Sequence, residues 1–157
     1  MIHHYFGSKA GLLEAVIAQT DSSIVAVPMR LLAKPAVSLD DFRSRMEMMF
    51  EATLDAFIEQ RALIMAALRE QSDLAGRREL MKRYVEFLED AKQKGIVGEE
   101  LDCEMISGFF LDRILNQVQY APWVKRDFGD DLLGDLQYKQ RWCKANSGIL
   151  INGIVQH

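Results

Sequence analysis

The side chains in this 157-residue chain that could do chemistry are few and scattered. His3 and His4 are adjacent, so on a helix they point about 100° apart and cannot form the i, i+4 pair that holds a metal. Nothing nearby adds a third ligand, and no metal site or cofactor is expected. Cys103 and Cys143 are the only cysteines, far apart and in helix-like surroundings. They are expected as buried free thiols in a reducing cytoplasm. No serine lies in a nucleophile elbow, and there is no glycine-rich phosphate loop and no His-Glu-x-x-His. Glu86, Glu89 and Asp90 crowd one helix, but with Lys82, Arg83 and Lys92 beside them they describe a solvated face. No catalytic residue is assigned, and the chain is not read as an enzyme.

Binding is a better match to the residues present. Eight methionines are a rich supply for this length, and Met46, Met49, Met65, Met81 and Met105 fall on inward-facing stripes. Such flexible, polarisable side chains either fill a core or line an adaptable apolar pocket. Thr53, Tyr84, Asn116, Gln117 and Tyr120 lie at the edges of apolar faces. A buried amide or phenol there must find a hydrogen-bond partner in the core, across a subunit boundary or on a ligand. Met49, Thr53, Met65, Met81, Tyr84, Asn116 and Tyr120 are therefore the candidate ligand-pocket residues. Arg113, on a strongly apolar stretch beside Phe110 and Gln117, is either paired with an acid such as Asp112 of a partner or Asp135, or anchors an anionic ligand.

These residues need helices to hold them. Hydrophobic residues make up 49% and charged residues 27% of the chain, with three prolines and no strand-like alternation, which describes one ordinary helical domain. Residues 8–27 carry helical spacing up to Pro28, where a kink or end is expected. After a loop over 34–37, Ser38 caps a second helix, with Asp40 and Asp41 at its positive end and Val37 stapled to Phe42. Glu59-Gln60-Arg61 breaks the pattern, and residues 62–68 read as a short buried helix. Another helix covers 75–94, with Gly95 as a left-handed stop. Asp102 caps a helix reaching about residue 121, Pro122 and Gly129 punctuate a loop, and the last helix covers 131–154. The architecture is all-α, about six helices.

The last two helices carry more apolar surface than one core needs. The 103–121 helix is apolar around most of its circumference, and the final one shows two stripes. One is Leu132, Leu136, Cys143, Leu150 and Ile154; the other is Tyr138, Trp142, Ala145 and Ile149. A helix with two buried sides sits mid-core or packs on its own chain and on a partner, so a homodimer built as a four-helix bundle is expected. Phe110, Arg113, Ile114, Gln117, Trp142 and Ile149 are its candidate interface residues. The charge balance, 19 basic against 23 acidic, excludes the bulk of the chain as a polyanion-binding surface. No apolar run is long enough to span a membrane and no signal peptide is visible, so a cytoplasmic location is expected.

One stretch ties these parts together. In Met1-Ile2-His3-His4-Tyr5-Phe6-Gly7-Ser8-Lys9-Ala10-Gly11-Leu12-Leu13, Gly7 can end one helix and Ser8 can cap the next. Lys9 at that first position is misplaced for the helix dipole; it is solvated, or it meets a phosphate that the same N-terminus attracts. From His3 to Leu13 the sequence resembles the junction that closes the DNA-binding domain of TetR-family transcriptional regulators. The Lys94–Asp102 connection and the closing Gly148–Ile154 are also similar to that family. The resemblance implies that residues 1–7 are the remnant of a helix-turn-helix domain, the chain starting at the end of the recognition helix. Residues 8–157 are then the effector-binding and dimerisation domain.

By the same resemblance, His3, Tyr5 and Lys9, with His4, contact the DNA backbone. Such contacts position a protein without reading sequence. The dimer forms through the last two helices, and a small, largely apolar effector binds in the helical core. Ligand binding would tilt the 8–27 helix and reset the spacing of the two DNA-binding heads. The alternative is a stand-alone helical ligand-binding or interaction module without DNA binding.

Overall fold

The computed structural model describes residues 11, 12, 15, 25–72 and 75–157. His3, His4, Tyr5 and Lys9, the boundary at residue 8 and most of the 8–27 helix lie outside the described residues. Among the described ones, six helices follow in order: α1 (Ala26–Leu31), α2 (Leu39–Glu59), α3 (Arg61–Arg69), α4 (Ala75–Gln93), α5 (Cys103–Phe128) and α6 (Leu136–Ile154). The all-α reading with about six helices holds. α2 runs through the centre, packed against α5 and α6, with α1 alongside it and α4 closing against α5.

Local signals set most of the boundaries. Ser38 accepts from the Asp41 N–H at 3.1 Å, and Asp102 accepts from the Met105 N–H at 3.0 Å. Gly95 and Gly129 take positive φ where α4 and α5 finish, a conformation that costs a side chain-bearing residue strain. The Val37–Phe42 staple does not form: Val37 is 84% exposed while Phe42 is fully buried. Asp41 replaces it by accepting from the Val37 N–H at 2.9 Å, which fixes the entry of the chain without an apolar contact. Arg45 reinforces the same corner. Its guanidinium grips Asp41, donates to Pro35 O at 2.6 Å and to Lys34 O, and lies 5.3 Å from the Phe87 ring.

Three expectations need correction. α3 is not a buried helix; only Ile64 and Ala67 are buried, because it lies on the outside of α2 and α5. The last helix begins at Leu136 rather than 131, with Asp135 capping the Gln137 and Tyr138 N–H groups. Most informative is Pro122, which lies inside α5 instead of ending it.

A proline in a helix leaves the carbonyl four residues earlier without a donor. Here that carbonyl belongs to Val118, and Arg61 Nε donates to it at 2.9 Å while Nη2 reaches Gln119 O at 3.3 Å. The polar break between α2 and α3 thus supplies the missing donor for a helix 57 positions away in sequence. Removing the Arg61 guanidinium (Arg61→Ala) leaves a half-buried carbonyl unpaired and is expected to cost about 1–3 kcal/mol. Pro122→Ala restores an N–H to the ladder, so Arg61→Ala should cost less in that background. Urea unfolding of the four members of this double-mutant cycle measures the coupling; simple additivity would refute the account.

Candidate functional site

The core begins with aromatic residues that α2, α4, α5 and α6 each aim inward from one apolar stripe. Phe50 of α2 meets Phe110 of α5 edge-on at 5.1 Å and Trp142 of α6 at 5.4 Å, and Tyr84 of α4 lies 4.7 Å from Phe110. Met46, Met49 and Leu54 fill the space along α2. The four elements therefore share one aromatic cluster, and movement of any one must be felt by the rest.

Most of the polar groups in this cluster are already satisfied. Thr53 donates to Met49 O at 2.8 Å and Ser107 to Cys103 O at 2.7 Å, each bonding back to its own helix. Tyr84 differs. Its hydroxyl is fully buried and donates to Met46 Sδ at 3.5 Å, a weak acceptor. Burial pushes this phenol well above its ordinary pKa, with Cys103 a lesser cause, so it stays protonated. Burial likewise raises the Cys103 and Cys143 thiols to about 11. Both are free cysteines; Cys103 is buried as expected and Cys143 is half-buried.

The ligand-pocket candidates divide accordingly. Met49, Thr53 and Tyr84 come together in the core, with Met65 and Met81 half-buried at its edge. Asn116 and Tyr120 do not join them. Both are exposed on the outer face of α5, and Tyr120 stacks on Trp123 at 5.1 Å. None of the seven lines a groove of about 460 Å³ between α1 and α2. Val27 and Leu31 of α1 and Met48, Ala52 and Ala56 of α2 form its apolar floor. Glu51, Asp55, Glu59 and Gln60 line it from α2. The sequence reading missed this groove, although the four-residue spacing of its carboxylates was there to be seen.

The interface candidates divide as well. Phe110, Ile114 and Trp142 are buried inside this one chain, so they are core residues and offer nothing to a partner. A helical wheel identifies an apolar side but not which body covers it, and the aromatic cluster claims these three. Ile149 of α6 is 76% exposed, and α5 carries Met105 at 73%, Phe109 at 62% and Trp123 at 57%. Ala145 and Gly148 leave the middle of α6 low enough for another helix to approach closely. Phe109 and Trp123 were missed because their neighbours Phe110 and Pro122 dominated the pattern.

Arg113 stands at the edge of this face. Nε donates to Asn146 Oδ1 at 2.9 Å and Nη1 to Gln117 Oε1 at 3.0 Å, and the guanidinium lies 4.9 Å from the Trp142 ring centre. Neither Asp112 nor Asp135 of its own chain pairs with it; Asp112 meets Arg77 and Asp135 caps α6. Burial lowers the Arg113 pKa, partly opposed by Tyr138. Two amides and an indole hold the charge in place of an acid.

Among the described residues no group of acidic, histidine or cysteine side chains is arranged to hold a metal, and no helix is long and apolar enough to cross a membrane.

No family model matches the chain, and no curated protein is similar enough in sequence to count as a relative. Its three-dimensional arrangement is another matter. It is similar to the ketosteroid transcriptional regulator KstR2 of Mycobacterium tuberculosis, with a TM-score of 0.72 and 17% identity over 99% of this chain and 78% of that one. The fold is TetR-like. At this identity the likeness concerns the arrangement of helices and leaves each side chain to be argued on its own.

Proposed function

We propose that the chain is the effector-binding and dimerisation body of a TetR-like, ligand-responsive DNA-binding transcriptional regulator, acting in the cytoplasm. The observation that carries this reading is the apolar outer face of α5 and α6, on helices whose opposite sides are committed to the core. Large apolar side chains left exposed on such helices mark an interaction site. Two such helices per chain can form a four-helix seam about a two-fold axis. The helical likeness to a transcriptional regulator supports the same reading.

In this reading residues 8–157 form the responsive body, and residues 1–7 close a DNA-binding domain, with His3, His4, Tyr5 and Lys9 against the phosphate backbone. A small, largely apolar effector binds the helical body, favours one angle of the segment leading to the heads, and so changes their spacing across the dimer. The aromatic cluster gives such a shift a route, because α2, α4, α5 and α6 share it.

Chromatin precipitation of the tagged protein from its own cells tests this directly. A discrete set of genomic sites sharing an inverted repeat is expected, with half-sites set by the dimer's two-fold symmetry. Recovery no better than from untagged cells would refute DNA binding and leave the stand-alone ligand-binding module.

A further inference from the structure

The groove between α1 and α2 has a wall of like charges along one helix. Glu51, Asp55 and Glu59 rise along α2 at four-residue spacing, and Glu47 extends the column one turn back. Like charges at that spacing destabilise a helix. Glu59 is also the last residue of α2, where the dipole disfavours an anion, and no basic residue stands in that final turn. Lys139 of α6 reaches Asp55 at 2.6 Å, so one ammonium faces three lining carboxylates.

Opposite this column the floor is apolar. Met48 is 53% exposed and Val27 48% exposed, on a surface where solvated charge would cost nothing. At about 460 Å³ the groove is within the range of small-molecule sites, roughly 300–1,000 Å³.

From the apolar floor, the volume and the net negative column, only partly offset by Lys139, we infer that this groove binds a lipophilic monocation. Its apolar body covers Val27, Leu31 and Met48 while its charge lies along Glu51 and Glu59. The charge is what selects: an anion of the same shape meets the same apolar surface and the repelling Glu51 and Glu59 carboxylates. This binding needs no DNA and no second copy of the chain, so it stands apart from the regulatory reading. Where that reading also holds, an occupant wedged against α1 presses on the segment that leads toward the N-terminal residues.

Tetraphenylphosphonium and tetraphenylborate are matched in shape and opposite in charge, which makes them the probes of choice. Isothermal titration into the whole chain should show saturable one-to-one binding of the phosphonium, with the borate at least about tenfold weaker. Replacing both free carboxylates (Glu51→Gln with Glu59→Gln) should weaken phosphonium binding by about tenfold or more, since each contributes a charge at short range. These side chains are exposed, so the fold should not depend on them. Ala52→Trp fills the groove and should abolish binding, with circular dichroism checking that the helices persist. Absence of saturable phosphonium binding, equal binding of the two ions, or unchanged affinity in the double glutamine variant would each overturn the proposal.

Discussion

Phe109→Glu is expected to abolish the proposed dimer without unfolding the chain. Phe109 is 62% exposed on the outer face of α5, so a glutamate there costs the isolated chain little. In a seam with the Met105, Trp123 and Ile149 side chains, the same carboxylate would be desolvated among apolar groups with no assigned donor. A central aromatic in an interface is typically worth 2 kcal/mol or more on truncation, and an added buried charge raises the loss. We expect the dissociation constant to rise by about a hundredfold or more, since each 1.4 kcal/mol is roughly tenfold. Sedimentation velocity at about 10 μM reads this directly. A wild-type chain that sediments as a monomer, or a variant that still dimerises, would remove the apolar face as the basis of assembly. Ile149→Arg on α6 should act in the same direction, because the seam requires both helices.

That prediction turns on Phe109, which the sequence alone did not single out, for a physical reason. Periodicity shows that a helix has an apolar side; on α5 it shows nearly a whole apolar circumference, and the partition into own core and free face is a tertiary fact. Phe110 turns toward Phe50 and Tyr84 and Ile114 is buried, while Phe109 is exposed. Signals that act within four residues were legible: the Ser38 and Asp102 caps and the left-handed Gly95 stop are set by local backbone chemistry. Pro122 was not. Whether a proline ends a helix depends on whether something supplies the lost donor, and the supplier, Arg61, is remote in sequence.

The ligand-pocket candidates divide along the same line. Met49, Thr53 and Tyr84 were recognisable as inward-facing from spacing. Their availability to a ligand was not, because Thr53 can always bond back to its own helix and does so. Tyr84 alone keeps a buried hydroxyl on a weak thioether partner. The groove wall was written in the sequence as a column of acids, but an acidic column normally describes a solvated face. Only the exposed apolar floor beside it changes what it means.

One position further along α5, the expected result is the reverse. Phe110→Ala should destabilise the fold by about 3–5 kcal/mol, the usual cost of emptying a well-packed aromatic site. Phe110 is fully buried and touches aromatic rings from two other helices, so the hole would open where α2, α4 and α5 meet and no single side chain could move to close it. Against a total stability of about 5–15 kcal/mol, such a loss lowers the melting temperature by roughly 6–20 °C in a chain of this size. Calorimetry at a fixed protein concentration measures it, since a dimer's melting point also depends on concentration. A loss below about 1 kcal/mol would mean the aromatic cluster is loosely packed, and with it would go the argument that the helices move as a coupled set. Together the two phenylalanines make a stringent pair. Adjacent in sequence and about 100° apart on one helix, Phe109 should govern assembly and leave folding nearly untouched, while Phe110 governs folding and reaches assembly only through it.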